Sequence, residues 1–346
     1  CPHRRINLLY GVPLEHGLRC SYHGWAFDQS GACIEQPYED EVDPESTFRD
    51  KIHTTAYPVK AAGGLIFAYL GPLPAPELPL WEPMVRANSM RDIGMSVLPC
   101  NWLQIMENSL DPVHLEWLHR DFSNYVLEQL GRDPNVTVQH HQKISFNVFE
   151  HGIVKRRMYK GEDETSPGWT RGHPILFPCI LSVGTLDAIN FQFRVPVDDT
   201  HTLHIFYSVF TPGGYVPQQE SIPVFSIPLP VPDENGQPPW DLLDNTPGQD
   251  IFAWITQGPI ARRDRERLGR SDEGIILYRN LLKEQVAKVQ RGEDPMNVFR
   301  DPAAAECIEI VTEHDHARIP GGPTQKYSPI RKTVLELWER DRGVKA

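Results

Sequence analysis

Cysteine is scarce in this chain: six among 346 residues, unevenly spaced, which excludes the disulfide framework of a small secreted domain and suits a reducing cytoplasm. Long apolar runs are missing as well. The longest, around "GGLIFAYLG" at 63–71, is far short of the roughly 20 residues a spanning helix needs. Basic residues are in deficit, 34 against 46 acidic, for a formal charge of −12. That balance repels phosphate backbones and anionic lipid surfaces, so neither nucleic acid nor a membrane is an expected partner. The sequence also lacks an internal repeat and a Gly-rich dinucleotide loop. It has no signal peptide and opens on a cysteine instead of a methionine, and it reads as truncated at its N-terminus.

What is present divides into two parts. Residues 1–70 consist of short β-like runs, "LRCSYHGWAF", "ACIEQP" and "GGLIFAYL", broken by turn signals such as "DQSG". A proline-studded connector follows, "GPLPAPELPLWEP" at 71–83. We expect a small all-β domain over residues 1–75 and an α+β domain over residues 76–346. In the second part "NWLQIMENSLDPVHLEWLH" is helix-like, while "KISFNVFEHGIVKRRMY", "ILFPCILSVG", "DAINFQFRVPV" and "HTLHIFYSVFT" alternate like strands of an antiparallel sheet. The Pro-rich stretch 217–248 has no period and reads as a lid or an oligomer contact. After it, Thr246 is a plausible cap with Pro247 at the first helical position, and "EGIILYRNLLKEQVAKVQ" is an amphipathic helix.

The opening segment "CPHRRINLLYGVPLEHGLRCSYHGW" carries two Cys–His pairs, Cys1 with His3 and Cys20 with His23, sixteen residues apart. Two thiolates and two imidazoles fit a tetrahedral structural zinc. The same inventory fits a Rieske [2Fe–2S] centre, with two thiolates on one iron and two imidazoles on the other. Each loop then gives one residue to each iron.

"CPHR" followed by "CSYHGW" resembles the cluster motif of Rieske non-haem iron ring-hydroxylating oxygenases, and the downstream sequence resembles the oxygenase (alpha) subunits of their phthalate dioxygenase-like branch. The resemblance covers essentially the whole chain. It implies a Rieske domain followed by a helix-grip catalytic domain, with Cys1 and Cys20 on one cluster iron and His3 and His23 on the other. It also implies a segment ahead of the first cysteine that this chain lacks.

A Rieske cluster moves one electron at a time, so an oxygenase needs a second metal, for which two histidines and a carboxylate on one face of an iron are the expected set. "ENSLDPVHLEWLH" supplies His114 and His119. Their five-residue separation does not align side chains on a regular α-helix, whereas a kink at Pro112 and a π-type turn would bring them into line. Asn108 and Asp111 complete a stretch that looks like the family's N-x2-D-x2-H-x4-H element. Among the distant acids, Asp264 and Glu266 read as a salt-bridged surface in "ARRDRER", and Asp272 as a helix cap. Asp250 lies near the start of a helix, where the dipole favours an ionised side chain, and it falls where the family places its carboxylate ligand. By the same resemblance Asp111 links His114 to the cluster residue His23 of a neighbouring subunit, with Asn108 close by, which makes a homotrimer part of the mechanism.

The implied protein is a cytoplasmic oxygenase component that uses O2 to hydroxylate, dihydroxylate or oxidatively demethylate an aromatic substrate at a mononuclear Fe(II), in aromatic catabolism. NADH and flavin then belong to a separate reductase, with or without a ferredoxin. Phe146, Phe149, Phe177, Phe191 and Phe193 are candidate pocket residues, and Arg171 or Arg194 is a candidate partner for a substrate carboxylate. Two other classes share part of this residue pattern. A Rieske electron-transfer protein would need no second metal, and a zinc-stabilised ligand-binding protein would be colourless.

Overall fold

A computed structural model describes residues 1–314 and 326–342. The chain falls into two compact units, Cys1–Leu78 and Pro79 to the C-terminus.

In the first unit β1 (Val12–Leu14), β2 (Gly17–Arg19), β3 (Ala26–Phe27) and β4 (Cys33–Glu35) form an antiparallel meander. A hairpin of β5 (Val59–Ala62) and β6 (Leu65–Ala68) follows. Strands this short bury little, and the core is correspondingly small: Trp25, Phe27 and Cys33, backed by Cys1, Leu8 and Ile52.

The second unit is built on one eight-stranded sheet. Its strands are β7 (Met90–Leu98), β8 (His141–Phe149), β9 (Gly152–Tyr159), β10 (His173–Leu176), β11 (Ile180–Thr185), β12 (Ala188–Pro196), β13 (Thr202–Phe210) and β14 (Val224–Ser226), in the order β14-β7-β13-β12-β11-β10-β9-β8. All neighbours are antiparallel except β14, which runs parallel to β7. The Pro-rich stretch read as a lid or contact therefore contributes an edge strand, a role that tolerates proline because one side of the strand needs no partner.

Register sets what one face of this sheet presents. Ile153, Ile175, Leu181, Gln192 and Phe206 are successive cross-strand neighbours. The apolar members of this row carry the helices. Trp102–Ser109 and Glu273–Gln290 pack on Ile153, Ile175 and Leu181 through Met106, Tyr278 and Leu281, while Thr246–Thr256 packs on Phe206 through Ile251 and Trp254. Burying each large apolar side chain is worth about 1.5–3 kcal/mol. The Glu273 helix comes in close because Gly274 has no side chain; a Cβ there would lie 2.4 Å from Phe146 and 2.8 Å from the Leu110 carbonyl. Two residues along the strands the same face turns polar, with Lys155 opposite His173 and with Val183, Asn190, Ser208 and Asp92 in succession.

Candidate cluster and metal sites

The two Cys–His loops share a geometry. The Arg5 amide donates to the Cys1 carbonyl at 2.9 Å, and the Gly24 amide to the Cys20 carbonyl at 3.1 Å. Each five-residue turn closes on a residue with positive φ, +63° at Arg5 and +75° at Gly24. Glycine takes that conformation freely, whereas arginine bears its steric cost. The cysteines are unbridged thiols. Cys20 is buried, while His3 and His23 are exposed with ring centroids 4.6 Å apart, and His3 stacks on Trp25. With Cys1 half-buried, Cys20 buried and two imidazoles at the surface, the four side chains offer the donor types that a [2Fe–2S] centre would need.

The second set is assembled by helices. Asn101 caps Trp102–Ser109 by accepting the Leu103 amide at 3.0 Å, and the helix breaks before Pro112. The chain resumes as a single turn at His114–Glu116 and then as a π-helix at Trp117–Asp121. This is the irregularity that the five-residue histidine spacing requires. The two rings lie 5.0 Å apart at their centroids.

Asp250 reaches the same point from Thr246–Thr256. The cap of that helix is Asn245, whose side chain accepts the Gly248 amide at 3.0 Å, so Thr246 is the first helical residue and not the cap. An amide oxygen on Asn245 serves as well as a hydroxyl, and propensity alone does not separate neighbouring candidates. Asp250 Oδ1 lies 3.1 Å from His119 Nε2 and 3.8 Å from His114 Nε2. Yet Asp250 Oδ1 is buried without an aligned hydrogen-bond partner. Nitrogen and oxygen atoms that converge without bonding to one another form a donor set suited to a cation, and His114, His119 and Asp250 together can hold a metal.

The surroundings hold these groups in place. Gln249 Oε1 lies 2.9 Å from His119 Nδ1, and its own amide is held by Ser123 Oγ and the Leu243 carbonyl. An amide oxygen only accepts, so Nδ1 carries the proton and Nε2 keeps its lone pair. Burial pulls the His119 pKa down, but the Asp250 charge and Gln249 outweigh it and the net shift is upward. Burial would raise Asp250, and the charges of His119, His114 and Arg194 lower it instead. Asp111 Oδ1 accepts the Val113 amide at 2.8 Å and its Oδ2 stands 3.6 Å from His114 Nδ1, longer than a hydrogen bond.

His114, His119, Asp250 and Asn108 line a cavity of about 650 Å³ whose sheet wall includes Lys155, His173, Asn190, Gln192 and Phe206. None of the five phenylalanines proposed from the sequence lines it. Phe191 and Phe193 alternate with Asn190 and Gln192 and so take the opposite face of β12, while Phe177 packs in the helix–sheet core with Phe146 against it. Arg171 and Arg194 are not in the lining either; its cationic residues are Lys155, Arg157, Lys326 and Arg331, and Lys155 Nζ donates to the Ser109 carbonyl at 2.8 Å. Burial above all, and then Arg157, pull its pKa down to about 7 against the carboxylates nearby.

Two features escaped the sequence reading. Glu116, between the two histidines, accepts from His140 Nδ1, from the His141 amide and from His141 Nδ1, each at 2.7 Å, and so ties the π-helical stretch to the start of β8. Arg157 forms a two-pronged pair with Glu313 at 3.1 and 2.7 Å. Only the inward direction of alternate residues in "VKRRMY" could have flagged Lys155 and Arg157, and that direction is invisible without the partner strands.

Residues 1–55 match the Rieske [2Fe-2S] domain, and residues 240–309, which include Asp250, match the family described as LigXa C-terminal domain like. The chain is 43% identical over 324 residues to the 5,5'-dehydrodivanillate O-demethylase oxygenase subunit of Sphingobium sp., covering 93% of this chain and 73% of that protein. It is 29% identical to the phthalate 4,5-dioxygenase oxygenase subunit of Pseudomonas putida, covering 85% and 72%. Among solved structures, the terminal oxygenase of carbazole 1,9a-dioxygenase from Nocardioides aromaticivorans superposes with a TM-score of 0.56 at 18% identity, over 82% of each chain, and shares the fold. With a paired Cys–His motif inside a matching Rieske domain, a helix-over-sheet unit behind it and a relative of this identity along nearly its whole length, the chain belongs to the Rieske non-haem iron oxygenases, as an oxygenase subunit of the phthalate dioxygenase-like branch.

Proposed function

We propose that this chain is the oxygenase component of a multicomponent system that oxidises an aromatic substrate with O2, with O-demethylation the leading outcome and hydroxylation or dihydroxylation the other two. The observation that carries the reading is the convergence of His114, His119 and Asp250 on the wall of a cavity of about 650 Å³, a size that suits a one- or two-ring ligand. The demethylase relative favours O-demethylation among the three.

In this reading Cys1, Cys20, His3 and His23 hold the [2Fe–2S] cluster, and His114, His119 and Asp250 hold a mononuclear Fe(II). When bound, the cluster supplies one-electron transfer and the iron an open-sided site for O2. The chain's own residues prepare that site. Gln249 fixes the ring of His119, Asp111 accepts backbone amides at the turn entering His114, and the helices over the sheet exclude bulk water. Electrons come from a separate reductase that carries the NADH and flavin chemistry. We further propose a cytoplasmic homotrimer in which Asp111 connects His114 to His23 of the next subunit, near Asn108.

The test is product analysis. Purified protein with iron, a matched reductase, NADH and methoxylated aromatic acids should release one formaldehyde per phenol formed. A colourless preparation holding stoichiometric zinc, or NADH-dependent turnover with no reductase added, defeats the reading.

A further inference from the structure

Two lysines among the described residues line the cavity, and they differ in what holds their nitrogens. The side chain of Lys326 is 42% exposed and its Nζ lies 2.7 Å from Asp244 Oδ1, so it sits at an open rim against a carboxylate. Lys155 is on the sheet wall, 3% exposed, and its Nζ is held by the Ser109 carbonyl alone, at 2.8 Å. Among the described residues no carboxylate comes within ion-pair distance of it. The ordinary role of such a lysine is to cap a helix end, and Ser109 is the last residue of Trp102–Ser109. That role takes one N–H, which a neutral amine supplies as well as an ammonium does.

The surroundings favour the neutral amine. An ammonium taken out of water needs a paired anion, and a lysine without one gives up its proton more readily. Arg157, two residues along β9 and on the same face, adds a second positive charge. His173, opposite Lys155 across the ladder to β10, is pushed down to about 3 by burial and by these two cations, so it is neutral, and its Nε2 is bare. Asp111, Glu313 and Asp250 act in the other direction from farther away, and Glu313 is already occupied by Arg157. Burial and Arg157 prevail, at a pKa of about 7. A desolvated lysine beside another cation is the arrangement that makes an amine nucleophilic at neutral pH.

We propose that Lys155 is a carbonyl-capturing amine that takes up aldehydes in this cavity as a covalent imine. The volume of about 650 Å³ admits an aromatic one. In the step the Nζ lone pair attacks the carbonyl carbon, a C=N bond forms, and the carbonyl oxygen leaves as water with both amine hydrogens. Nothing is oxidised or reduced. An imine nitrogen that then takes a proton from water can donate to the Ser109 carbonyl again, so capture leaves the helix end capped. The demethylation proposed for this cavity would itself release an aldehyde, formaldehyde, beside Lys155, but the capture rests on the amine and stands without that reaction.

The test is reductive trapping. Benzaldehyde is added under nitrogen to the iron-loaded protein with sodium cyanoborohydride, which reduces the protonated imine faster than the free aldehyde, and peptide mass spectrometry locates the benzylated amines. At pH 7 Lys155 should be labelled at least about tenfold faster than Lys326, although Lys326 is the more exposed, because an exposed lysine is almost wholly protonated at that pH. Between pH 7 and pH 9 the ratio of Lys155 to Lys326 labelling should fall by more than about tenfold. A lysine that is half neutral at pH 7 gains only about twofold in free amine over that range, whereas an exposed one gains about a hundredfold. Comparing two lysines in one sample cancels the pH dependence of dehydration and of the reductant. Lys155 left unlabelled, Lys155 labelled no faster than Lys326 at pH 7, or a ratio that stays level to pH 9 overturns the proposal.

Discussion

The proposed cluster loops and the proposed His–His–Asp site would solve the metal-binding problem in opposite ways. In the first unit the donors sit on two short turns, each closed by its own backbone, and both imidazoles face solvent. In the second the donors are largely buried on separate helices, and the ring of His119 is fixed by Gln249, 130 residues away. A centre that only passes electrons benefits from an exposed edge, because a partner must approach it. A centre where O2 and substrate react needs water kept out and every group held from several directions. Local turns suffice for the first, and only tertiary structure can supply the second.

The largest effects should come from removing a donor from one region and reading the other. Asp250→Ala should abolish turnover and lose the mononuclear iron while the visible cluster spectrum stays intact. Cys20→Ser should bleach that spectrum and leave iron bound at His114 and His119. If one substitution empties both sites, the two regions are not independent.

Next comes the support behind the buried site, where cost should appear as stability. Burial would raise Glu313, but the Arg157 charge and their hydrogen bonds hold it down at about 2. A carboxyl held below its unfolded value near 4.5 stabilises the fold above that pH, and the contribution disappears as pH falls toward 2. Glu313→Gln should therefore cost about 3–5 kcal/mol at pH 7, the range for stranding one member of a buried pair, and progressively less on acidification. Denaturant melts at pH 7 and pH 4 check this, and a pH-independent loss would contradict it.

Gln249→Leu should weaken iron binding about 10–100-fold through the freed His119 ring, without touching the cluster spectrum. Unchanged iron affinity would mean that the π-helical turn alone orients the ring. The smallest effect joins the regions across subunits. Mixing a Cys20→Ser chain with a His114→Ala chain should restore about one quarter of native activity if a trimer passes electrons between neighbours. A verified mixed oligomer with none would confine transfer to one chain.

The same contrast explains what could be read in the sequence. Cys1, His3, Cys20 and His23 are close in sequence, so spacing marks them as a candidate metal set, and the resemblance chooses an iron–sulfur cluster over zinc. The five-residue gap between His114 and His119 even announces the π turn. Local pattern sets aside Asp264 and Glu266 as charge-paired surface and Asp272 as a cap, but a helix-start position alone does not make Asp250 a ligand, and the resemblance is needed to choose it. In the structure those three pair with Arg262, Arg279 and the Gly269 amide respectively. The cavity wall was illegible for a further reason. Asn190 and Gln192 alternate with Phe191 and Phe193, and period-two reading finds two faces without saying which one the helices cover.

The π-helical stretch Trp117–Asp121 has one more consequence. A π turn is an α-helix with one residue too many, an insertion absorbed locally while both flanks keep their register. Trp117, at the start of the stretch, is 55% accessible. A chain from which Trp117 is deleted should therefore still fold, with the two histidines four apart on an unbroken helix. The surplus residue then acts as a length and not as a side chain: what it provides is the angle at which the second imidazole arrives.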